Sequence, residues 1–236
     1  MNGEGRWPKL RLLPIALCFV AGYIDACAFI ALFGTFVAQI TGTYIIAGAT
    51  LVTHEPGVLT KVLAIPVFMA GAAIATLIAR TAPGAHPLQL VTSLLLEFVL
   101  LLVFLFSGLS AAQTSSPDAT GNVIAAIAGF AAMGVQSALV RIFYVGAPST
   151  NVMTMATSQI AIDTTDVLLS RRFPDPARTD AARRRLYETL PHVAAFLVGA
   201  TAGALAFGSL HWWSVAFAIA IVLATVFGAL RYPPKL

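Results

Sequence analysis

The stretch GYIDACAFIALFGTFVAQITGT, residues 22–43, lies in an apolar run of bilayer-spanning length. Yet it carries Asp25, then Gln39, Thr41, Gly42 and Thr43. A carboxylate on a spanning helix costs roughly 2.5–3.5 kcal/mol on insertion scales. A sequence keeps such a group when it faces a partner or a cavity. The reading of this stretch therefore turns on what satisfies Asp25.

Composition sets the surroundings. Of 236 residues, 58% are hydrophobic and only 10% charged, with a mean hydropathy of +0.87. Soluble domains carry about 25% charged residues. So much apolar surface cannot be hidden in one soluble core, and the chain reads as a polytopic membrane protein. Its long, unalternating apolar runs exclude a barrel, because backbone groups in lipid must then be satisfied within helices. The expected fold is an all-α transmembrane bundle, one domain over residues 1–236 with little left for a soluble part.

Apolar runs and breakers predict eight spans, near 11–32, 35–52, 59–80, 88–109, 121–144, 149–170, 190–208 and 212–230. The breakers include His54-Glu55-Pro56-Gly57, Ala82-Pro83-Gly84, Ser115-Ser116-Pro117-Asp118, and Gly146 with Pro148. Arg6, Lys9 and Arg11 precede the first span, but the apolar run continues past Ala28 to Leu32, which argues for an anchor rather than a cleaved signal peptide. Cys18 and Cys27 lie on one helix, too far apart to bridge, and read as small buried residues.

Basic residues cluster in the N-tail, in the loop 171–185 (Arg171, Arg172, Arg178, Arg183, Arg184, Arg185) and in the C-tail (Arg231, Lys235). The positive-inside rule puts all three on the cytoplasmic side. Eight spans would also put the loop 110–120 there, although it has no Lys or Arg. The basic loop reads as an orientation signal touching anionic lipid heads. Nothing in the sequence presents these arginines to nucleic acid.

A weak internal echo relates the first two spans to the fifth and sixth. GYID at 22–25 aligns with MGVQ at 133–136, setting Gln136 against Asp25. QITGT at 39–43 then answers TNVMT at 150–154 after a short breaker in each half. The expectation is two parallel repeats, 11–109 and 121–230, with broken or re-entrant second and sixth spans.

The run G-Y-I-D-A-x-x-F-x-x-L-F-G-T-F-V-A-x-x-T-G-T at 22–43 resembles the DUF1275 family of bacterial membrane proteins, also called the YoaK or UPF0700 family. GVQSA at 134–138 and TNVMT at 150–154 support the resemblance. It implies a bacterial inner-membrane location and a fold class, but no reaction. The family pattern has Asn after Thr-Gly; Thr43 stands there in this chain and removes a carboxamide.

Asp25, Gln39, Thr41, Gly42, Thr43, Glu97, Gln136, Arg141, Asn151 and Thr154 are the candidate substrate- or ion-binding residues. Asp25 and Glu97 either bond a neighbouring helix or serve as proton or cation carriers. Thr41-Gly42-Thr43 either marks a broken helix, aiming backbone dipoles at the midplane, or packs helices through small residues. Arg141 either snorkels or pairs with a carboxylate. Asp163 and Asp166 read as solvated at the interface.

The four histidines sit near span ends without close ligand partners, so neither metal nor cofactor is expected. No nucleotide loop or nucleophile motif appears, so an enzyme is not expected. Gly199-x-x-x-Gly203 and Gly71-x-x-x-Ala75 serve either internal packing or a homodimer. The leading functional expectation is a small transporter or permease for an unidentified solute, with the bilayer as its other partner. The alternative is a non-transport membrane protein: an assembly partner, scaffold or sensor.

Overall fold

The computed structural model describes residues 7–81, 86–114, 116–144, 153–170 and 172–231. The fold is all-α, with no strand among the described residues. Its helices are α1 (Trp7–Ala31), α2 (Ile40–Thr53), α3 (Val58–Val62), α4 (Ala64–Arg80), α5 (His86–Ala111), α6 (Thr120–Phe143), α7 (Met153–Leu169), α8 (Pro176–Leu210) and α9 (Val215–Arg231).

Five stretches among the described residues are long and apolar enough to cross a membrane: Leu12–Ala31, Val58–Arg80, Pro87–Ala111, Thr120–Phe143 and Pro176–Arg231. The last has 56 residues, about 84 Å as a single helix and far longer than the ~30 Å hydrocarbon core. It breaks at a 3-10 turn over His211–Ser214, which His211 enters with φ 48°, a left-handed value that ends α8. The eight expected spans are not confirmed as such. The second expected span becomes α2, whose 14 residues reach only about 21 Å. The sixth becomes α7, 17 residues with polar side chains along its length.

Two apolar clusters show which way each helix runs. One gathers Val20 to Leu32 of α1 and its exit, Ala64 of α4, Leu101 to Leu105 of α5, Ala125 to Met133 of α6, and Val215 to Val222 of α9. The other gathers Leu17 of α1, Ala75 of α4, Leu90 to Leu94 of α5, Val135 to Phe143 of α6, and Val226 and Ala229 of α9. Hence α1 and α5 run one way, and α4, α6 and α9 run the other.

Helix α8 runs with α1. Gly199 backs onto Phe19 and Gly203 onto Tyr23, the same four-residue step along both helices. A Cβ at Gly22 would strike the Phe196 carbonyl and come 3.0 Å from the Ala200 nitrogen. The contact between α4 and α6 repeats this pattern: Gly71 backs onto Ala131, and Gly134 onto Phe68 and Ala72. The small-residue patches at Gly199, Gly203 and Gly71 are thus occupied by packing within the chain. Tyr23 ties α1 to the turn after α8 by donating its hydroxyl to the Ser214 carbonyl at 3.0 Å.

Gly22 and Gly134 occupy the same place in these two contacts. Matching them sets Asp25 against Ser137 and Gln136 against Ile24, whereas the expected echo sets Asp25 against Gln136.

Forcing a side chain into such a contact should cost about 1–3 kcal/mol or more. Gly22→Val and Gly134→Val are each expected to lower the melting temperature of the purified protein by several degrees. Gly48→Ala should not, since no heavy atom lies within 4 Å of its added Cβ. Equal melting of all three would refute close backbone contact at Gly22 and Gly134.

Candidate functional site

The chain turns sharply at the end of α1. Phe33 and Gly34 adopt left-handed φ angles of 54° and 77°, and the segment 35–39 returns into the bundle. Val37 and Ala38 are buried there, with Val37 beside Gly129 of α6. The return just before α2 therefore carries buried amide N–H groups that no helix ladder satisfies. Asp25 meets them. Its Oδ1 accepts the N–H of Val37 and of Ala38, each at 2.7 Å, and that of Gln39 at a looser 3.5 Å. A negative group at this position also complements the positive end of the helix dipole.

Thr43 locks the same turn from the first turn of α2. Its hydroxyl accepts the Phe36 N–H at 2.7 Å and donates to the Phe36 carbonyl at 2.6 Å. One hydroxyl thus supplies the donor and the acceptor, so the missing carboxamide leaves no bond unmade. Phe36 stacks on Phe29 at 4.6 Å, and Gly42 leaves room for its ring: an added Cβ would come within 3.2 Å. Gln39 contributes its backbone, its side chain is exposed, and Thr41 is exposed as well.

Asp25 is 2% exposed, and its Oδ2 is buried without a partner. The expectation of a polar cavity reaching it is not met by the two cavities described, neither of which Asp25 lines. Thr154 is exposed in the first turn of α7, where its carbonyl accepts the Ser158 hydroxyl at 3.0 Å. It does not join Asp25. Asn151 lies outside the described residues, as does Thr150.

A second polar group sits deeper. Glu97 of α5 is fully buried, and neither of its carboxyl oxygens has a partner. Gln136 of α6 is fully buried too; its Nε2 donates to the Leu17 carbonyl of α1 at 3.1 Å, and its Oε1 has no partner. Arg141 is exposed in the last turn of α6 and forms no ion pair among the described residues.

Sequence reading missed two features. Lys61 is only 4% exposed and lines a cavity of about 10 Å³, room for one water, with Thr35, Thr60 and Asn122. The neighbouring Asp118 accepts the Gly57 N–H at 3.2 Å. The available signal was that Lys61 stands apart from every other basic cluster in the chain. The other feature corrects a reading. Asp163 is 1% exposed rather than solvated, and Arg185 of α8 holds it through Nε at 3.0 Å and Nη2 at 2.6 Å. Asp166 pairs with Arg178 in the same manner. These pairs dock α7 on the charged start of α8.

A family model described as a protein of unknown function (DUF1275) matches residues 13–228. The chain belongs to the DUF1275 family. No curated protein and no solved structure matches it. The family description assigns no activity, so what this DUF1275 member does must be argued from its own side chains.

Asp25→Ala would strand two buried amides, each worth about 1–3 kcal/mol when left unmet. A stability loss on the order of 2–5 kcal/mol is expected. Asp25→Asn keeps an acceptor oxygen and should melt much closer to the parent. An alanine variant that melts like the parent protein would show that α2 does not depend on this carboxylate.

The Arg185 hydrogen bonds hold the Asp163 carboxyl below the ordinary aspartate range, against the opposing effect of burial. A depressed group contributes stability above its unfolded-state value, about 3.9. That contribution disappears as pH falls through the folded-state value. The melting difference between the parent and Asp163→Asn should stay constant from neutral pH to about 4, then shrink. A difference that grows on acidification contradicts the pairing.

Proposed function

We propose that this protein is a small transporter of the bacterial inner membrane for a small solute, without a catalytic step. On this reading its two halves are inverted relative to each other rather than parallel. Six helices cross (α1, α4, α5, α6, α8 and α9), while α2 and α7 enter from opposite faces without crossing. The observation that carries the reading is the turn before α2, folded back into the bundle and held on Asp25. Short helices beginning at midplane, in equivalent places of two inverted halves, are a recurring architecture of secondary transporters.

Several observations support the inversion. Helices α1 and α6 run oppositely, yet each receives the later helix of the other half through the same glycine contacts. Thr43 and Thr50 are buried on α2 where Ala156 and Asp163 are buried on α7, at the same spacing. Met153 at the start of α7 packs on the cluster that also holds Val37 and Ala38. Its other end pairs with the arginines that begin α8.

Charge supports an orientation. Every described Lys and Arg except Lys61 lies toward the end of the bundle where α1, α5 and α8 begin and α4, α6 and α9 finish. The positive-inside rule makes that end cytoplasmic, together with both termini and the loop 171–185. The segment 112–119 then lies outside, which accounts for its lack of Lys and Arg.

A non-transport role as an assembly partner or scaffold is the second reading. It is favoured by the burial of Asp25, whose bonded oxygen is taken up by the turn before α2. Two measurements separate these readings. A cysteine introduced at 116 should react with impermeant reagent in spheroplasts, and one at 178 should not; the reverse overturns the orientation. Thermal-shift screening across metabolite classes, followed by uptake of the hits into proteoliposomes, tests transport. Uptake no faster than into empty liposomes, at any pH gradient, would leave the scaffold reading.

A further inference from the structure

The bonds of Glu97 and Gln136 do not close within the protein. Three buried oxygens have no donor: both from Glu97, and Oε1 of Gln136. Buried polar atoms in native proteins are paired, because leaving one unmet costs roughly 1–3 kcal/mol. The two residues were candidates on separate helices, and only the packing relates them. Helices α5 and α6 are antiparallel neighbours, and two contacts set their register. Gly121 faces Ala111, where an added Cβ would come within 2.7 Å of the alanine methyl. Gly129 faces Phe104, with the ring at 3.2 Å from an added Cβ. One heptad further along α6 from Gly129 is Gln136. One heptad back along α5 from Phe104 is Glu97. The register therefore sets them opposite each other.

Their depth is equally defined. Glu97 follows Leu94 of one apolar cluster and precedes Leu101 of the other; Gln136 stands just past Met133, where α6 passes between the same clusters. All three of these flanking positions are buried. The pair is a polar layer between two dry halves of the core. The Leu17 carbonyl can accept only a donor, so it fixes the Gln136 carboxamide with Nε2 toward α1 and leaves Oε1 as an acceptor.

We infer that Glu97 and Gln136 form a proton-holding pair, in which the Glu97 carboxyl keeps its proton and donates it to Gln136 Oε1. The assignment deepens the proposed transport function and rests on it only for the use made of the proton. A proton supplies the missing donor and needs no room. A hard cation such as calcium takes six to eight oxygens, twice what this layer leaves free. Release breaks one O–H bond, passes the proton to water and leaves a carboxylate; rebinding reverses this, with no other bond changed. No oxidant or co-reactant is involved.

Other ionisable groups do not take this role. Arg80 on α4, Arg141 on α6, Arg231 on α9 and His211 in the turn before α9 are exposed at helix ends. Tyr144 stands just past the end of α6. Cys18, next to Leu17 on α1, is buried at this depth and carries no charge as a thiol. Asp25 lies two turns further along α1, where its Oδ1 is engaged with the amides of Val37 and Ala38.

Infrared spectra of the purified protein in lipid nanodiscs, compared with Glu97→Gln and Gln136→Leu, test the pair. A protonated-carboxyl band is expected at neutral pH in the parent protein. Glu97→Gln should lose it. Gln136→Leu should move it to higher frequency, as the acceptor disappears. Glu97→Asp should shift it, which keeps the test open if the glutamine variant does not fold. A parent spectrum without the band, or a band indifferent to both positions, overturns the pair. So does a melting temperature that sodium, against choline, raises in the parent but not in Glu97→Gln, which would indicate a cation instead. A band that behaves as expected in a protein that moves no solute supports the pair and removes the transport reading. Solute-driven proton flux without the band removes the pair and leaves transport standing.

Discussion

A segment that turns back inside a membrane protein carries amide N–H groups outside any helix ladder, and lipid offers no substitute for water. In this chain they are the amides of Val37 and Ala38, in the turn before α2, and the Asp25 carboxylate receives them. Much of the first half follows from that bond. It brings the segment 35–39 back into the bundle and lets Val37 pack beside Gly129. It also sets Thr43 where one hydroxyl can close both backbone groups of Phe36. The apparent extravagance of a carboxylate in an apolar helix disappears once the amides are counted with it. Each group would be costly alone, and each removes the cost of the other.

The second constraint is closeness of backbones. Helices in lipid gain little from hiding apolar surface from one another, so they associate through tight contact. The glycines of α1, α4, α6 and α8 allow carbonyls of one helix to lie against Cα atoms of the next. These contacts join helices far apart in the chain: α1 to α8 and α4 to α6. Each half is thereby stapled to the other, and the end-to-end arrangement of the bundle is set by packing rather than by the loops. The ion pairs of Asp163 and Asp166 with α8 give α7 a fixed seat at the charged end, where bonds to arginine can replace the solvation these carboxylates would find in water.

Deep in the bundle the chemistry differs from that at Asp25. Asp25 Oδ1 receives two close backbone donors while its Oδ2 has none, whereas neither carboxyl oxygen of Glu97 has a donor. The first arrangement ties a turn in place. The second lacks a hydrogen atom, which is what the proposed proton on Glu97 would supply.

The sequence by itself determined the class: an all-helical membrane bundle with small-residue packing stripes, a breaker at Phe33-Gly34 and a polar opening to the second apolar run. Hydropathy, glycine spacing and the sites of the arginines are local properties, and they can be read one segment at a time. Family membership was legible for the same reason, since the run 22–43 is contiguous. The extent of α2 was not legible, because a short apolar helix has the same composition as a spanning one; α2 differs only in its length and in the turn that precedes it. Nor was the likeness of the two glycine contacts, which sets Asp25 against Ser137 rather than Gln136 and depends on which helices meet. The pairing of Glu97 with Gln136, and the burial of Lys61 and Asp163, depended on which helices meet and at what depth. Those are distances between residues remote in the chain, and only the tertiary structure decides them.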